Sequence, residues 1–194
     1  MSRPRFIPLI AVFVLAGATL AGRQQPPQPQ KPGAAPPVAL PVLVLDTVKG
    51  VIELELNPAE APKSVAHVLE LAKNGFYRGQ RFHWAINGVV QFGDPASRDA
   101  TKEQSWGLGG SGLRGAAKPL GVAEISKKPF LKGTVGLAHP TDRKAEEADS
   151  QIFILTAPNP NLNGKYAMIG KVLKGQAVAD KIEKGDSIKN LTVR

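Results

Sequence analysis

Residues 75–95 read GFYRGQRFHWAINGVVQFGDP, and this stretch decides the fold. It holds two short apolar runs, RFHWAI at 81–86 and GVVQF at 88–92, between glycine and proline residues. Short runs rich in aromatic and β-branched side chains with such boundaries are typical of β-strands. In the first run, the pleat places His83 on the opposite face from Phe82 and Trp84. The stretch therefore predicts strands that carry an aromatic face.

The residues before this stretch predict a β-hairpin and then a helix. VLVLDT at 42–47 and GVIELELN at 50–57 flank a turn at Lys49-Gly50, and in the second segment Ile52, Leu54 and Leu56 alternate with Glu53 and Glu55. APKSVAHVLELAKNG at 61–75 then sets apolar residues at helical spacing, has Pro62 in the first turn and ends at Asn74-Gly75. We expect one half-exposed hairpin followed by one amphipathic helix.

The residues after it predict more short strands and a second short helix. The apolar segments are GTVGLAH at 133–139, SQIFILT at 150–156, KYAMIGKV at 165–172 and SIKNLTV at 187–193. Asn163-Gly164 predicts a two-residue hairpin turn with positive φ, and GQAVADKIEKGD at 175–186 predicts the helix. Many short strands with two helices predict a mainly β fold, a closed or nearly closed β-barrel capped by α-helices.

The first 41 residues differ in composition from the rest. Residues 1–22 have a cationic start, an apolar run and small residues near Ala18 and Ala21, the pattern of a secretory signal peptide. Residues 23–41 hold seven prolines and four glutamines, which predicts an extended linker. We expect an exported protein, periplasmic or extracellular, with the folded domain at 42–194. An uncleaved N-terminal anchor is the alternative.

Composition excludes several classes of function. The chain has no cysteine and three histidines, so thiol chemistry and Cys-type metal sites are closed to it, and we expect no metal. Its net charge is +9, but four cations precede the first acid, Asp46. The 21 cations and 16 acids of residues 42–194 leave +5, scattered rather than clustered. We therefore expect no nucleic-acid partner.

Several residue patterns are too weak to indicate chemistry. Gly107, Gly109 and Gly112 match a dinucleotide-binding string, but no clear strand precedes them and no helix follows, so we predict a mobile glycine-rich loop. Ser150, His83 and Asp149 have no nucleophile-elbow signature around them. His67, on the predicted helix, is expected to be a packing residue.

At residues 75–95 the sequence resembles the cyclophilin family of peptidyl-prolyl isomerases, whose usual string has Phe-His-Arg and then Gln-Gly-Gly-Asp-Pro. Further similarities follow in family order: the helix at 61–75, the glycine loop, GTVGLAH, SQIFI and LNGKYAMIGKV. Together they cover nearly all of residues 42–194. The resemblance implies a closed eight-stranded antiparallel barrel with two helices and a packed interior. A shallow groove on its outside would bind an X-Pro segment.

The resemblance also implies roles for particular residues. Gln91 would hydrogen-bond the substrate backbone, and Phe153 would form the floor of the proline pocket. The other residues expected to bind substrate are Phe82, Val89, Val90, Ala138, His139, Gln151, Leu162 and Tyr166. No cofactor is implied, and the partners are proline-containing polypeptides bound by a monomer.

The sequence departs from the family at its catalytic arginine, where Trp84 stands. An indole donates one neutral hydrogen bond and carries no charge. Arg81 is expected to point to the other strand face, and Arg114 lies in the glycine loop. Asn161 replaces a family tryptophan in the groove wall. We expect reduced activity at a site whose catalytic residues are Gln91 and Trp84.

Three functions remain open from the sequence. The first is a peptidyl-prolyl isomerase that acts on exported or unfolded polypeptides. The second is a catalytically weak or inactive cyclophilin-like module or chaperone that binds proline peptides. The third is a docking scaffold that uses the acidic loop Glu146–Asp149.

Overall fold

The computed structural model describes residues 39–140 and 142–194. Its strands are β1 (Val42–Thr47), β2 (Gly50–Leu56), β3 (Trp84–Ile86), β4 (Val89–Phe92), β5 (Thr134–Leu137), β6 (Ile152–Leu155), β7 (Ala167–Lys174) and β8 (Ile188–Val193). The α-helices are α1 (Pro62–Lys73) and α2 (Gln176–Ala179). Short 3₁₀ helices span Pro95–Arg98, Ala100–Ser105, Leu113–Gly115, Ala145–Glu147 and Pro160–Leu162. The predicted signal peptide and all but the last three residues of the predicted linker lie outside the described residues.

The eight strands form one antiparallel sheet in the order β3-β4-β6-β5-β7-β2-β1-β8. The sheet curls into a half-barrel, so the predicted closed barrel is wrong for the residues described. Its end strands β3, which has three residues, and β8 share no ladder. The chain on either side of this opening meets at one isolated bridge, Arg81 to Ser187.

Apolar side chains fill the concave side of the sheet. Strand β2 shows the reason, since Ile52, Leu54 and Leu56 are fully buried while Glu53 and Glu55 between them are only partly buried. The predicted hairpin of β1 and β2 is confirmed, with Leu43 opposite Leu54 and Thr47 opposite Gly50. Alternation of this kind buries one face of a strand and leaves the other toward water.

The two helices lie against this sheet. Helix α1 begins at Pro62, ends before Asn74 as predicted, and buries Val65 and Val68. No side chain of its own caps its first turn; instead Glu124 accepts hydrogen bonds from the backbone N–H groups of Lys63 and Ser64. Helix α2 is shorter than the sequence predicted, because it ends at Ala179.

The tight turns differ from the prediction at Asn163-Gly164. Asn163 has φ −59° and ψ 131° and Gly164 has φ 69°, which is a type II turn in a loop between β6 and β7. These two strands do not pair with each other. The two-residue hairpin with positive φ at both turn residues is instead Asn87-Gly88, between β3 and β4. Among the described residues, no helix has the length and apolarity to cross a membrane.

Candidate active site

A row of aligned residues crosses the convex face of the sheet. Trp84 on β3 lies opposite Gln91 on β4, and Gln91 lies opposite Phe153 on β6. Residues directly opposite in an antiparallel pair point to the same face, about 5 Å apart. The sheet therefore brings the two predicted catalytic residues and the predicted pocket floor together.

The row continues through Gly136 on β5, which lies opposite Phe153. A Cβ atom at residue 136 would overlap the phenyl ring of Phe153. Only glycine therefore leaves the space in which this ring lies. The ring stacks on Phe130 with centroids 6.0 Å apart and meets the edge of Tyr166 at 5.5 Å.

The side chains around Phe153 form an apolar cluster separate from the main core. Its buried members are Phe130, Ala138, Phe153 and Leu155, and the partly buried ones are Val89, Leu162, Tyr166 and Met168. Five of these eight were predicted to line the groove. His139 adds a further predicted residue, because its ring stacks on Tyr166 at 4.6 Å. The arrangement is a shallow apolar groove with Phe153 at its base.

Gln91 is held in place by Gln151, the residue that directly precedes β6. Its Nε2 donates to Oε1 of Gln151 at 2.8 Å. Nε2 of Gln151 in turn donates to the carbonyl oxygens of Gly107 and Gly109, at 2.9 and 2.8 Å. Gln151 thus positions Gln91 and does not simply line the groove. Within residues 39–140 and 142–194, Oε1 of Gln91 has no hydrogen-bond partner, so it can accept an N–H of a bound peptide.

Two buried carboxylates fasten the glycine-rich loop behind this pair. Asp94 accepts from the N–H groups of Gly107 and Gly109 at 2.6 and 3.2 Å. Asp149 accepts from the N–H groups of Ser111 and Lys118. These hydrogen bonds restrain the glycine-rich loop, which we predicted to be mobile. Because Asp149 is buried, it is also unavailable to a docking surface at 146–149.

The indole of Trp84 is the exposed end of the row, with 51% of the residue accessible. Among the described residues, the cation–π contacts are at Phe76 and Trp106, and none is at Trp84. Arg81 donates to the carbonyl oxygen of Gly185 at 2.8 Å. Arg114 lies on the exposed glycine loop. Burial lowers the pKa of His83 to about 4, so that its ring is neutral at pH 7.

Two residues predicted to bind substrate are instead part of the core. Phe82 is fully buried and packs edge-on against Phe92 at 5.3 Å. Val90 is also in the main core cluster, while its neighbour Val89 belongs to the groove. Within β4 the pleat explains why Val89 and Val90 differ, because adjacent residues of a strand face opposite sides. Phe82 lies before β3, which begins at Trp84, so the prediction that Phe82 and Trp84 share one strand face is wrong. Neither Phe82 nor Val90 can contact a peptide on the convex face.

The comparisons with known proteins agree on one family. Residues 42–193 match the family model described as cyclophilin type peptidyl-prolyl cis-trans isomerase/CLD. The chain belongs to this cyclophilin family. A probable peptidyl-prolyl cis-trans isomerase of Brucella suis is 39% identical over 153 residues, which are 78% of this chain and 76% of the relative. The peptidyl-prolyl cis-trans isomerase B of Bacillus subtilis is 34% identical over 143 residues, 73% of this chain and 90% of the relative.

Solved structures show the same fold. A cyclophilin-type peptidyl-prolyl isomerase from Cryptosporidium parvum has a TM-score of 0.65 and 26% identity, over 80% of this chain and 98% of that one. The cyclophilin-type domain of this chain is therefore a peptidyl-prolyl isomerase domain, whose substrates as a class are proline-containing polypeptides.

Some residues of this cyclophilin site were missed from the sequence. Phe130 and Met168 belong to the groove cluster, and Gly136 makes room for its floor. Of these three, only Gly136 could have been identified from the sequence, since a glycine in the middle of an apolar strand often marks a close approach of another group. Phe130 lies in a stretch without strand periodicity, KKPFLKG, and nothing there indicates that it faces the groove.

We expect Gly136→Ala to damage the cyclophilin groove. The added methyl group must displace the Phe153 ring, which should weaken binding of a prolyl peptide roughly tenfold and destabilise the fold by about 1–3 kcal/mol. Titration with a prolyl peptide and urea unfolding measure the two effects. In a Phe153→Ala background the same change should cost little stability, because the ring is absent. An equal cost in both backgrounds would contradict this explanation.

Proposed function

We propose that this cyclophilin accelerates X-Pro isomerisation in exported or unfolded polypeptides, at a lower rate than relatives with an arginine at the position of Trp84. The alignment of Gln91 with Phe153 across neighbouring strands carries the proposal. The family membership supports the reaction type, and the signal-like composition of residues 1–22 supports the exported substrates.

The reaction needs no covalent step. The C–N bond of a peptide is partly double, which gives a rotation barrier of ~18–20 kcal/mol, and an X-Pro bond isomerises unaided in tens to hundreds of seconds. A site accelerates the rotation when it binds the twisted amide more tightly than either planar form. Groups that hold the proline ring still while the preceding carbonyl turns act in this way.

The residues of the groove fit these tasks. Phe153 and its apolar neighbours bind the prolyl ring and exclude water from the amide. Oε1 of Gln91 accepts a hydrogen bond from the substrate backbone, and Gln151 fixes its orientation through the 2.8 Å bond. A preorganised group of this kind does not have to reorient as the amide twists.

Trp84 supports the lower rate and also the rival function. Its indole N–H is a neutral donor, so the site has no charge-assisted hydrogen bond of the kind an arginine makes, which is worth about 1.5–3 kcal/mol. A protein that keeps the groove and lacks this contribution could bind prolyl peptides with little or no catalysis. The rival is thus a cyclophilin-like binding module or chaperone.

A refolding assay tests the proposal against this rival. The slow, proline-limited refolding phase of a test protein should become several times faster with the full chain at micromolar concentration. Gln91→Ala should remove most of this acceleration, whereas Val51→Ala, an exposed position on β2, should not. A slow phase that keeps its spontaneous rate, in the presence of measurable peptide binding, would favour the binding module.

A further inference from the structure

We propose that Trp84 and Ile86 form a second substrate site, which binds a large apolar or aromatic side chain three residues from the proline. We call these two residues the β3 shelf. The inference rests on the proposed function, since the shelf would bind another part of the same peptide.

The shelf is an apolar surface that the fold leaves open. Trp84 and Ile86 are two residues apart on β3, and 51% and 53% of them are exposed. Ala85 between them packs toward the main core, so the pleat directs both larger side chains to the convex face. In the described sheet β3 is also an end strand, so no strand pairs along its outer edge. Contiguous exposed apolar patches often mark binding surfaces, and the shelf adds to the apolar surface of the groove.

The shelf is continuous with the groove. Ile86 lies opposite Val89, a member of the groove cluster, and Trp84 lies opposite Gln91. A peptide bound over Phe153 and Gln91 therefore meets the shelf as the next surface along the row. Neither Trp84 nor Ile86 carries a charge, and Ile86 adds only aliphatic surface to the shelf. The occupant that fits is an apolar side chain, aromatic ones best, because they also stack on the indole.

The spacing of the sheet selects the position of that side chain. From β6 to β3 there are two strand spacings, about 9.5 Å together. A polyproline II peptide repeats every three residues with a rise of ~3.1 Å each, about 9.3 Å per turn. A proline over Phe153 and a side chain three residues away thus lie on one face of the peptide, at the separation of the groove floor from the shelf.

Binding of labelled nine-residue peptides, followed by fluorescence anisotropy, tests the shelf. Each peptide has one central proline and carries phenylalanine, serine or lysine three residues before or after it. The full chain is compared with Trp84→Ala, Ile86→Ala and the control Val51→Ala, which removes an exposed aliphatic side chain from β2. The serine peptides report on the groove alone.

With the variable residue either before or after the proline, but not in both positions, the phenylalanine peptide should bind the full chain on the order of tenfold more tightly than the serine peptide. Trp84→Ala should abolish this preference, Ile86→Ala should reduce it, and Val51→Ala should keep it, where the preference is the ratio of the two peptide affinities measured on the same protein, and the serine peptide should bind the full chain and Val51→Ala alike. An unchanged preference in Trp84→Ala, or equal binding of the lysine and phenylalanine peptides, would overturn the shelf. If the serine peptides bind none of the proteins, the proposal that the groove binds prolyl peptides is contradicted, and the proposal of the shelf is contradicted with it.

Discussion

Replacement of Trp84 by arginine should raise kcat/KM for a prolyl peptide roughly ten- to a hundred-and-fiftyfold. This range corresponds to the ~1.5–3 kcal/mol of a charge-assisted hydrogen bond that forms in the twisted state, at 1.36 kcal/mol for each factor of ten. Residue 84 on β3 lies opposite Gln91 on β4, so the guanidinium would lie beside Gln91. Because residue 84 is exposed at the edge of the sheet, the exchange should leave the fold intact.

The matched control is Ile86→Arg. It adds the same charge on the same strand and the same face, at a residue of nearly equal exposure, but opposite Val89 instead of Gln91. We expect no gain in rate from it. A coupled proteolysis assay on an X-Pro peptide measures both variants. Activity that appears in Trp84→Arg from an undetectable level would identify the natural chain as a binding module, and a rise from a measurable level would identify a slow enzyme. No rise, with peptide binding retained, would contradict our account of Trp84.

The parts of the fold that could be predicted are those whose pattern is local. The β1–β2 hairpin alternates with period two, and α1 repeats its apolar residues at helical spacing between Pro62 and Asn74, so their bounds follow from short-range rules. The groove residues Gln91 and Phe153 came from the family resemblance. Neither periodicity nor composition could bring them together, because they are 62 residues apart in the chain.

The predictions that were wrong concern features that depend on how strands pair. Asn87-Gly88 and Asn163-Gly164 are the same dipeptide, yet only the first joins two paired strands; whether neighbouring strands pair is a property of the whole sheet. In the same way Val90 is an apolar residue next to the groove residue Val89, and one residue of register decides whether such a side chain enters the core or the groove. The closed barrel was wrong for a related reason, because the end strands β3 and β8 do not pair.

Asp149→Ala should be the most destabilising of the substitutions considered, at about 3 kcal/mol in urea unfolding. The Asp149 carboxylate joins three parts of the fold: it contacts Nε2 of His67 on α1 at 3.0 Å, and accepts from the N–H groups of Ser111 and Lys118 at 2.7 and 2.8 Å. Removing it leaves these groups without their acceptor, and an unsatisfied buried polar group costs about 1–3 kcal/mol. The exposed control Asp180→Ala breaks the contact with Lys132 and should cost less than about 1 kcal/mol.

The cost of losing Asp149 should also depend on pH. Burial alone would raise the pKa of this carboxyl, but the hydrogen bonds from His67, Ser111 and Lys118 outweigh it and hold the pKa below its usual value. A carboxyl whose pKa is lower in the folded state stabilises the fold fully above its unfolded pKa of about 3.9, and this stabilisation disappears as the pH falls through the folded value. The difference in unfolding free energy between the natural chain and Asp149→Ala should therefore shrink as the pH falls below about 4. A difference that stays constant down to pH 3 would show that packing, and not the charge of Asp149, holds the glycine-rich loop behind Gln91.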